Sequence, residues 1–190
     1  MATVHPLTEI AGAFRVEPVV HTDARGLFVE TYREEWFPDA APMVQSNRGD
    51  RVAGTVVGLH FHLHQADYWY VPYGTVRVVL WDIREGSPTE GQAYTTDLGV
   101  QFDGSHCHDG IYIPRGVGHG FAALTDATVS YQVDGYYNPD DELGVAWNDP
   151  EVGIDWGVTD PVLSERDQAN PKRADLPEAI RPRYTPAAGG

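Results

Sequence analysis

The chain has 190 residues, 42% of them hydrophobic, which is enough for one compact domain with a real core and scarcely enough for two. Its 13 basic and 28 acidic side chains give a formal charge of −15, which repels nucleic acid and anionic membrane surfaces as a whole. A small phosphorylated ligand is not excluded, because a few local arginines suffice to bind one.

No run approaches the ~20 apolar residues of a membrane span. Residues 1–14 show no basic head followed by an apolar run, so no signal peptide is visible. Cys107 is the single cysteine; it can form no intrachain disulfide and sits in no nucleophile motif, which makes it a spectator thiol. The expectation is a soluble cytoplasmic protein.

The elements follow in chain order between turns supplied by 20 glycines and 14 prolines. Phe28–Tyr32 reads as the first strand, and residues 32–37 as the one short helix. Thr55–Val57 leads into Leu59–His62, then Tyr68–Val71, Thr75–Ile83, Gly110–Ile113 and Val129–Val133. Short, turn-bounded runs rich in β-branched and aromatic residues predict an all-β sandwich or barrel. The core spans about residues 14–167 of a single domain covering 1–190, with a polar tail over 168–190. Tyr184 to Gly190 is expected to be mobile. No internal repeat is present.

Alternation along a strand puts His60 and His62 on one face, and a turn through His64, Gln65 and Ala66 brings Asp67 onto the next strand. Gly54 lies six residues before His60, and Gly74 seven after Asp67. This spacing resembles the first motif of the cupin superfamily, with Asp for the usual Glu. Pro114-Arg115-Gly116-Val117-Gly118-His119 resembles the second. The resemblance implies a double-stranded β-helix, a jelly-roll barrel with short peripheral helices. His60, His62, Asp67 and His119 would suit Fe(II), Mn(II), Ni(II) or Zn(II). The same histidines could instead hydrogen-bond to neighbours or act as acid–base groups. His64 is given no role.

A longer pattern is carried by Asp23-Ala24-Arg25-Gly26-Leu27-Phe28-Val29-Glu30-Thr31-Tyr32, Gln45-Ser46-Asn47, Gly58-Leu59-His60-Phe61 and Asp82-Ile83-Arg84 with Ser87-Pro88-Thr89. It continues through Ile113 to Phe121, Tyr136-Tyr137 with Pro139, Trp147-Asn148-Asp149-Pro150, Gly153-Ile154-Asp155-Trp156 and Leu163-Ser164-Glu165-Arg166-Asp167. From about Phe14 to Asp167 the chain resembles the dTDP-4-dehydrorhamnose 3,5-epimerase family, a branch of the cupins.

That resemblance implies an isomerase of carbohydrate biosynthesis acting on a 4-keto-6-deoxyhexose carried by thymidine diphosphate. A base removes a hydrogen next to the ketone, an enolate forms, and an acid returns a proton to the opposite face. No redox cofactor is needed. By position, His60 is the base, Asp167 its partner and Tyr131 the acid. An imidazole titrates near neutrality, which suits proton abstraction. Gln45, Asn47 and His119 resemble pocket residues, while Arg25, Phe28 and Glu30 resemble nucleotide contacts lent to the neighbouring subunit of a homodimer.

Three positions depart from the family. Val57 replaces an arginine that helps hold the diphosphate. His62 replaces a glutamine, and Asp67 replaces a lysine near the developing enolate oxygen. An unpaired carboxylate there would oppose enolate formation by several kcal/mol at ~4 Å. A divalent metal on His62 and Asp67 would restore the positive charge. If His60 were also a ligand, it could not serve as a free base. The alternative reading is therefore a metal-dependent cupin enzyme, such as a dioxygenase, lyase or isomerase, working on a smaller ligand.

Overall fold

In a computed structural model, which describes residues 1–101 and 103–186, these runs form short antiparallel strands. They are β1 (Thr3–Pro6), β2 (Phe14–Glu17), β3 (Val20–Asp23), β4 (Gly26–Val29), β5 (Gln45–Arg51), β6 (Val56–Phe61) and β7 (Asp67–Tyr73). After them come β8 (Thr75–Trp81), β9 (Ala93–Val100), β10 (His106–Cys107), β11 (Gly110–Ile113), β12 (Gly118–Ala123), β13 (Ala127–Val133) and β14 (Leu143–Gly144). The one α-helix among the described residues is α1 (Glu165–Ala169). No helix among them is long and apolar enough to cross a membrane.

Two six-stranded sheets face each other, in the orders β1-β2-β11-β7-β13-β5 and β10-β9-β8-β12-β6-β14. Consecutive strands such as β6 and β7, or β12 and β13, lie in different sheets, so the chain winds around the barrel as the jelly-roll expectation required. Val71, Ile111 and Val129 of the first sheet meet Val78, Leu80 and Phe121 of the second in the central core. Toward one end of this interior the side chains turn polar, and the cleft opens there.

The outer faces are covered too. Phe14, Phe37, Tyr68 and Tyr112 form an aromatic layer outside the first sheet, with Phe37 stacked on Tyr112 at 4.7 Å. The helix expected over residues 32–37 is instead a three-residue 3-10 turn, Glu34–Trp36. Tyr32, Trp36 and Phe37 all pack on Tyr68, and Pro38 disfavours helical backbone at Phe37, which stops the turn there. The strand expected over residues 28–32 ends at Val29, because it pairs with β3 in a separate hairpin.

Outside the second sheet, Val145, Trp156 and Leu176 cover Val79, Trp81 and Ala122. The segment after Asp167, polar on average, is thus strapped to the barrel. Ala146 N–H donates to Pro171 O at 2.7 Å, and Tyr184 N–H to Glu85 O at 3.0 Å. Residues 187–190, the end of the stretch expected to be mobile, lie outside the described residues.

The Asp82-Ile83-Arg84 motif with Ser87 and Thr89 is architectural. The fully buried Asp82 carboxylate accepts from Arg84 Nε at 2.8 Å, Arg84 Nη2 at 2.7 Å, and the Ser87 and Thr89 hydroxyls at 2.6 Å each. Arg84 also donates to Ala11 O at 2.7 Å, tying this turn to the N-terminal segment.

Candidate active site

The Gly58-Leu59-His60 run owes its form to a bulge. Val57 pairs with Phe121 and His60 with His119, so two residues of β6 lie opposite Gly120 alone. Gly58 has a φ of 113°, and a Cβ on it would come within 2.7 Å of Gly120 Cα and His119 O. Glycine is required for the two backbones to approach this closely. The extra residue lets Val57, His60 and His62 all line the interior cleft.

That cleft holds about 350 Å³. One wall comes from β5, β7 and β13, where the register sets Tyr131 beside both Asn47 and Trp69, and Val133 beside both Gln45 and Asp67. Gln45, Asn47, Asp67 and Tyr131 therefore share the inward face. His60, His62 and His119 supply the other wall.

His60 Nε2 lies 2.5 Å from Asp167 Oδ1. Asp167 is carried by α1, whose N-cap Ser164 accepts the Asp167 N–H at 3.1 Å and donates its hydroxyl to Asp167 Oδ2 at 2.8 Å. The Ser-x-x-Asp run is a capping arrangement that fixes the carboxylate. Burial pushes the Asp167 carboxyl up, but the His60 hydrogen bond and charge, Ser164 and Arg166 together outweigh it and hold it below the usual range. A carboxylate only accepts, so Nε2 carries the hydrogen and Nδ1 presents a lone pair. Burial, helped by the Asp67 charge, pushes the Tyr131 hydroxyl above its usual range, with Arg51 acting in the opposite direction. Tyr131 therefore keeps its proton at neutral pH.

His62, Asp67 and His119 form a second, buried group, with one ligand-type atom of each within 4.8 Å of the others. His60 is not part of it. Of the four residues that spacing suggested as metal ligands, three are grouped here, while the His60 ring meets Asp167 on its Nε2 side. Burial drives His119 down to about 4, against the opposing charge of Asp67.

Arg25, Phe28 and Glu30 stand apart from the cleft of their own chain, on and just beyond the β3–β4 hairpin. Arg25 is 90% exposed and pairs with Asp23, Phe28 is 64% exposed, and Glu30 pairs with Arg33. Four contributors to the site were missed from sequence. Gln65 and Trp69 hydrogen-bond Asp67 at 3.0 Å each, and Arg51 lines the cleft. Asp141 accepts the Leu63 and His64 amides at 2.7 and 2.9 Å and so shapes the β6–β7 turn. Asp141 lies 78 residues from Leu63, with no local pattern to announce the contact.

Barrel and cleft together define a cupin-type jelly-roll protein with an imidazole–carboxylate pair in its interior. The family model for dTDP-4-dehydrorhamnose 3,5-epimerase matches residues 7–175. The chain belongs to that family. The dTDP-4-dehydrorhamnose 3,5-epimerase of Neisseria gonorrhoeae is 39% identical over 161 residues, 81% of this chain and 48% of that protein, so the chain spans about half that relative's length. NovW, a 4-keto-6-deoxy sugar epimerase from the novobiocin biosynthetic gene cluster of Streptomyces spheroides, matches with a TM-score of 0.87 at 36% identity, covering 97% of this chain and 94% of NovW. A double mutant of ChmJ, a 3'-monoepimerase from Streptomyces bikiniensis, with one histidine and one tyrosine replaced and in complex with dTDP, matches at 0.84 and 32% identity, covering 95% and 92%. These relatives do not support the alternative of a metal enzyme for a smaller ligand.

Proposed function

We propose that this enzyme epimerises a nucleotide-linked 4-keto-6-deoxy sugar, with His60 as base, Asp167 as its partner and Tyr131 as acid. The observation that carries the reading is the buried Asp167 carboxylate 2.5 Å from His60 Nε2, in a cleft that also holds a protonated tyrosine. His60 Nδ1 takes the hydrogen from the carbon beside the ketone. The resulting imidazolium is stabilised by Asp167 through Nε2–H, as in other imidazole–carboxylate pairs. Tyr131 then delivers its proton to the opposite face of the enolate, and the cycle closes as the His60 imidazolium gives its proton to water and water returns one to the Tyr131 phenolate. Gln45 and Asn47, joined by a 2.9 Å hydrogen bond, offer polar contacts to the sugar.

Arg51 is the one arginine or lysine lining the cleft, and among the described residues it pairs with no carboxylate. It takes over the diphosphate charge that Val57 cannot meet. The nucleotide end is completed by Arg25, Phe28 and Glu30 of a second copy, which the exposed hairpin would reach in a homodimer.

The reading is tested by incubating the protein in deuterium oxide with a dTDP-linked 4-keto-6-deoxyhexose and following exchange beside the ketone by NMR. Exchange at one or both flanking carbons is expected. His60→Asn should abolish it, and Tyr131→Phe should block epimerised product while leaving residual wash-in of deuterium. An unlabelled sugar with folded wild-type protein would overturn the proposal.

A further inference from the structure

Two imidazoles and a carboxylate converge in the cleft. His62, Asp67 and His119 are 6%, 3% and 5% exposed, and one ligand-type atom of each lies within 4.8 Å of the other two. His62 Nδ1 is 2.7 Å from the Asp141 carbonyl oxygen, and His119 Nδ1 is 2.9 Å from that of Val117. A carbonyl only accepts, so each Nδ1 carries a hydrogen, which leaves each Nε2 as the nitrogen able to offer a lone pair to a ligand. Asp67 is fixed in the same way, with Oδ1 accepting from the Gln65 amide and Oδ2 from the Trp69 indole. Two imine nitrogens and a carboxylate, all buried and all held from behind, call for a cation among them. Backbone carbonyls on the far nitrogens are also the usual support of metal-ligating histidines.

We propose that His62, Asp67 and His119 bind one divalent first-row transition metal, with His60 excluded from its ligands. Two imidazoles and one carboxylate suit Zn(II), Fe(II), Mn(II) or Co(II) and leave coordination positions facing the cleft. His60 keeps its hydrogen bond to Asp167 and its free Nδ1, so metal binding and proton abstraction occupy separate residues. When bound, the ion would act as a Lewis acid on a carbonyl oxygen and neutralise Asp67. The inference does not rest on the epimerase reading, since it is read without substrate.

The test uses the full chain without an affinity tag. Elemental analysis of purified protein should find close to one transition-metal ion per chain. Chelator-stripped protein should take up Co(II) with visible d–d absorption and a higher Tm. Asp67→Asn and His62→Gln should each weaken Co(II) binding by more than the about 10–100-fold typical of losing a supporting residue, and Trp69→Phe should fall within that range. His60→Asn should keep its metal. Wild-type protein that neither carries metal nor gains Co(II) absorption and a raised Tm would overturn the proposal without recourse to variants. Loss of metal in His60→Asn would overturn the three-ligand assignment. Absence of sugar exchange alongside stoichiometric metal would sink the epimerase reading alone.

Discussion

Arg51 and Val57 line the same cleft, and together they change where its positive charge resides. Arg51 Nη1 donates to the Asp50 carbonyl at 2.8 Å, which steadies the guanidinium without neutralising it. A charge-assisted hydrogen bond to a phosphate contributes about 1.5–3 kcal/mol, or roughly tenfold or more in affinity. Arg51→Ala is therefore expected to raise KM for the nucleotide sugar about tenfold with little change in kcat. Adding Val57→Arg to that variant should recover most of the loss. Steady-state kinetics on the pair checks both statements; a drop in kcat at unchanged KM would show that Arg51 does not act in binding.

At the scale of elements, the β6 bulge sets Val57, His60 and His62 along the cleft. An alanine at Gly58 must adopt a φ near 113° and place its Cβ against the backbone of β12. The conformational strain alone costs about 1–3 kcal/mol, and relief requires β6 and β12 to separate, which displaces His60 and His119. Gly58→Ala is expected to lower stability in urea unfolding by at least that amount and to reduce kcat sharply. The elements also explain what the sequence made legible. The apolar runs of β7, β8, β11 and β13 are visible because both faces of those strands meet other protein. Strand β5, Gln45–Arg51, was not visible, since its inward residues are polar for the sake of the cleft and its outward ones for the sake of solvent, leaving no alternation to read. Strand β9 was hidden similarly by its threonines and Asp97. The spacing of His60, His62, Asp67 and His119 picked out four residues that line one cleft, but spacing cannot show which side chain a histidine nitrogen meets. The Asp167 contact, 107 residues away, separates His60 from the other three.

For the whole molecule, two buried carboxylates link stability to pH. For Asp82, burial raises the carboxyl, and Arg84, Ser87 and Thr89 together bring it below its usual value; Asp167 has the same balance through His60 and Ser164. Each is depressed in the folded state relative to the ordinary 3.8. The stability they contribute is present above that value and is lost as pH falls through the folded values beneath it. The urea midpoint should hold from neutrality to about pH 4 and fall below it, and Asp82→Asn should start lower and show a shallower acid dependence. A midpoint unchanged down to pH 3 would contradict this. The strap outside the second sheet has a consequence for synthesis. Every strand of the barrel precedes residue 145, whereas Asp167 emerges later, on the segment that closes over the finished sheets. A nascent chain that stalls before that point has all the barrel strands yet lacks the carboxylate that meets His60. On the proposed reading, proton abstraction by His60 therefore waits until Asp167 has been made and the strap has closed.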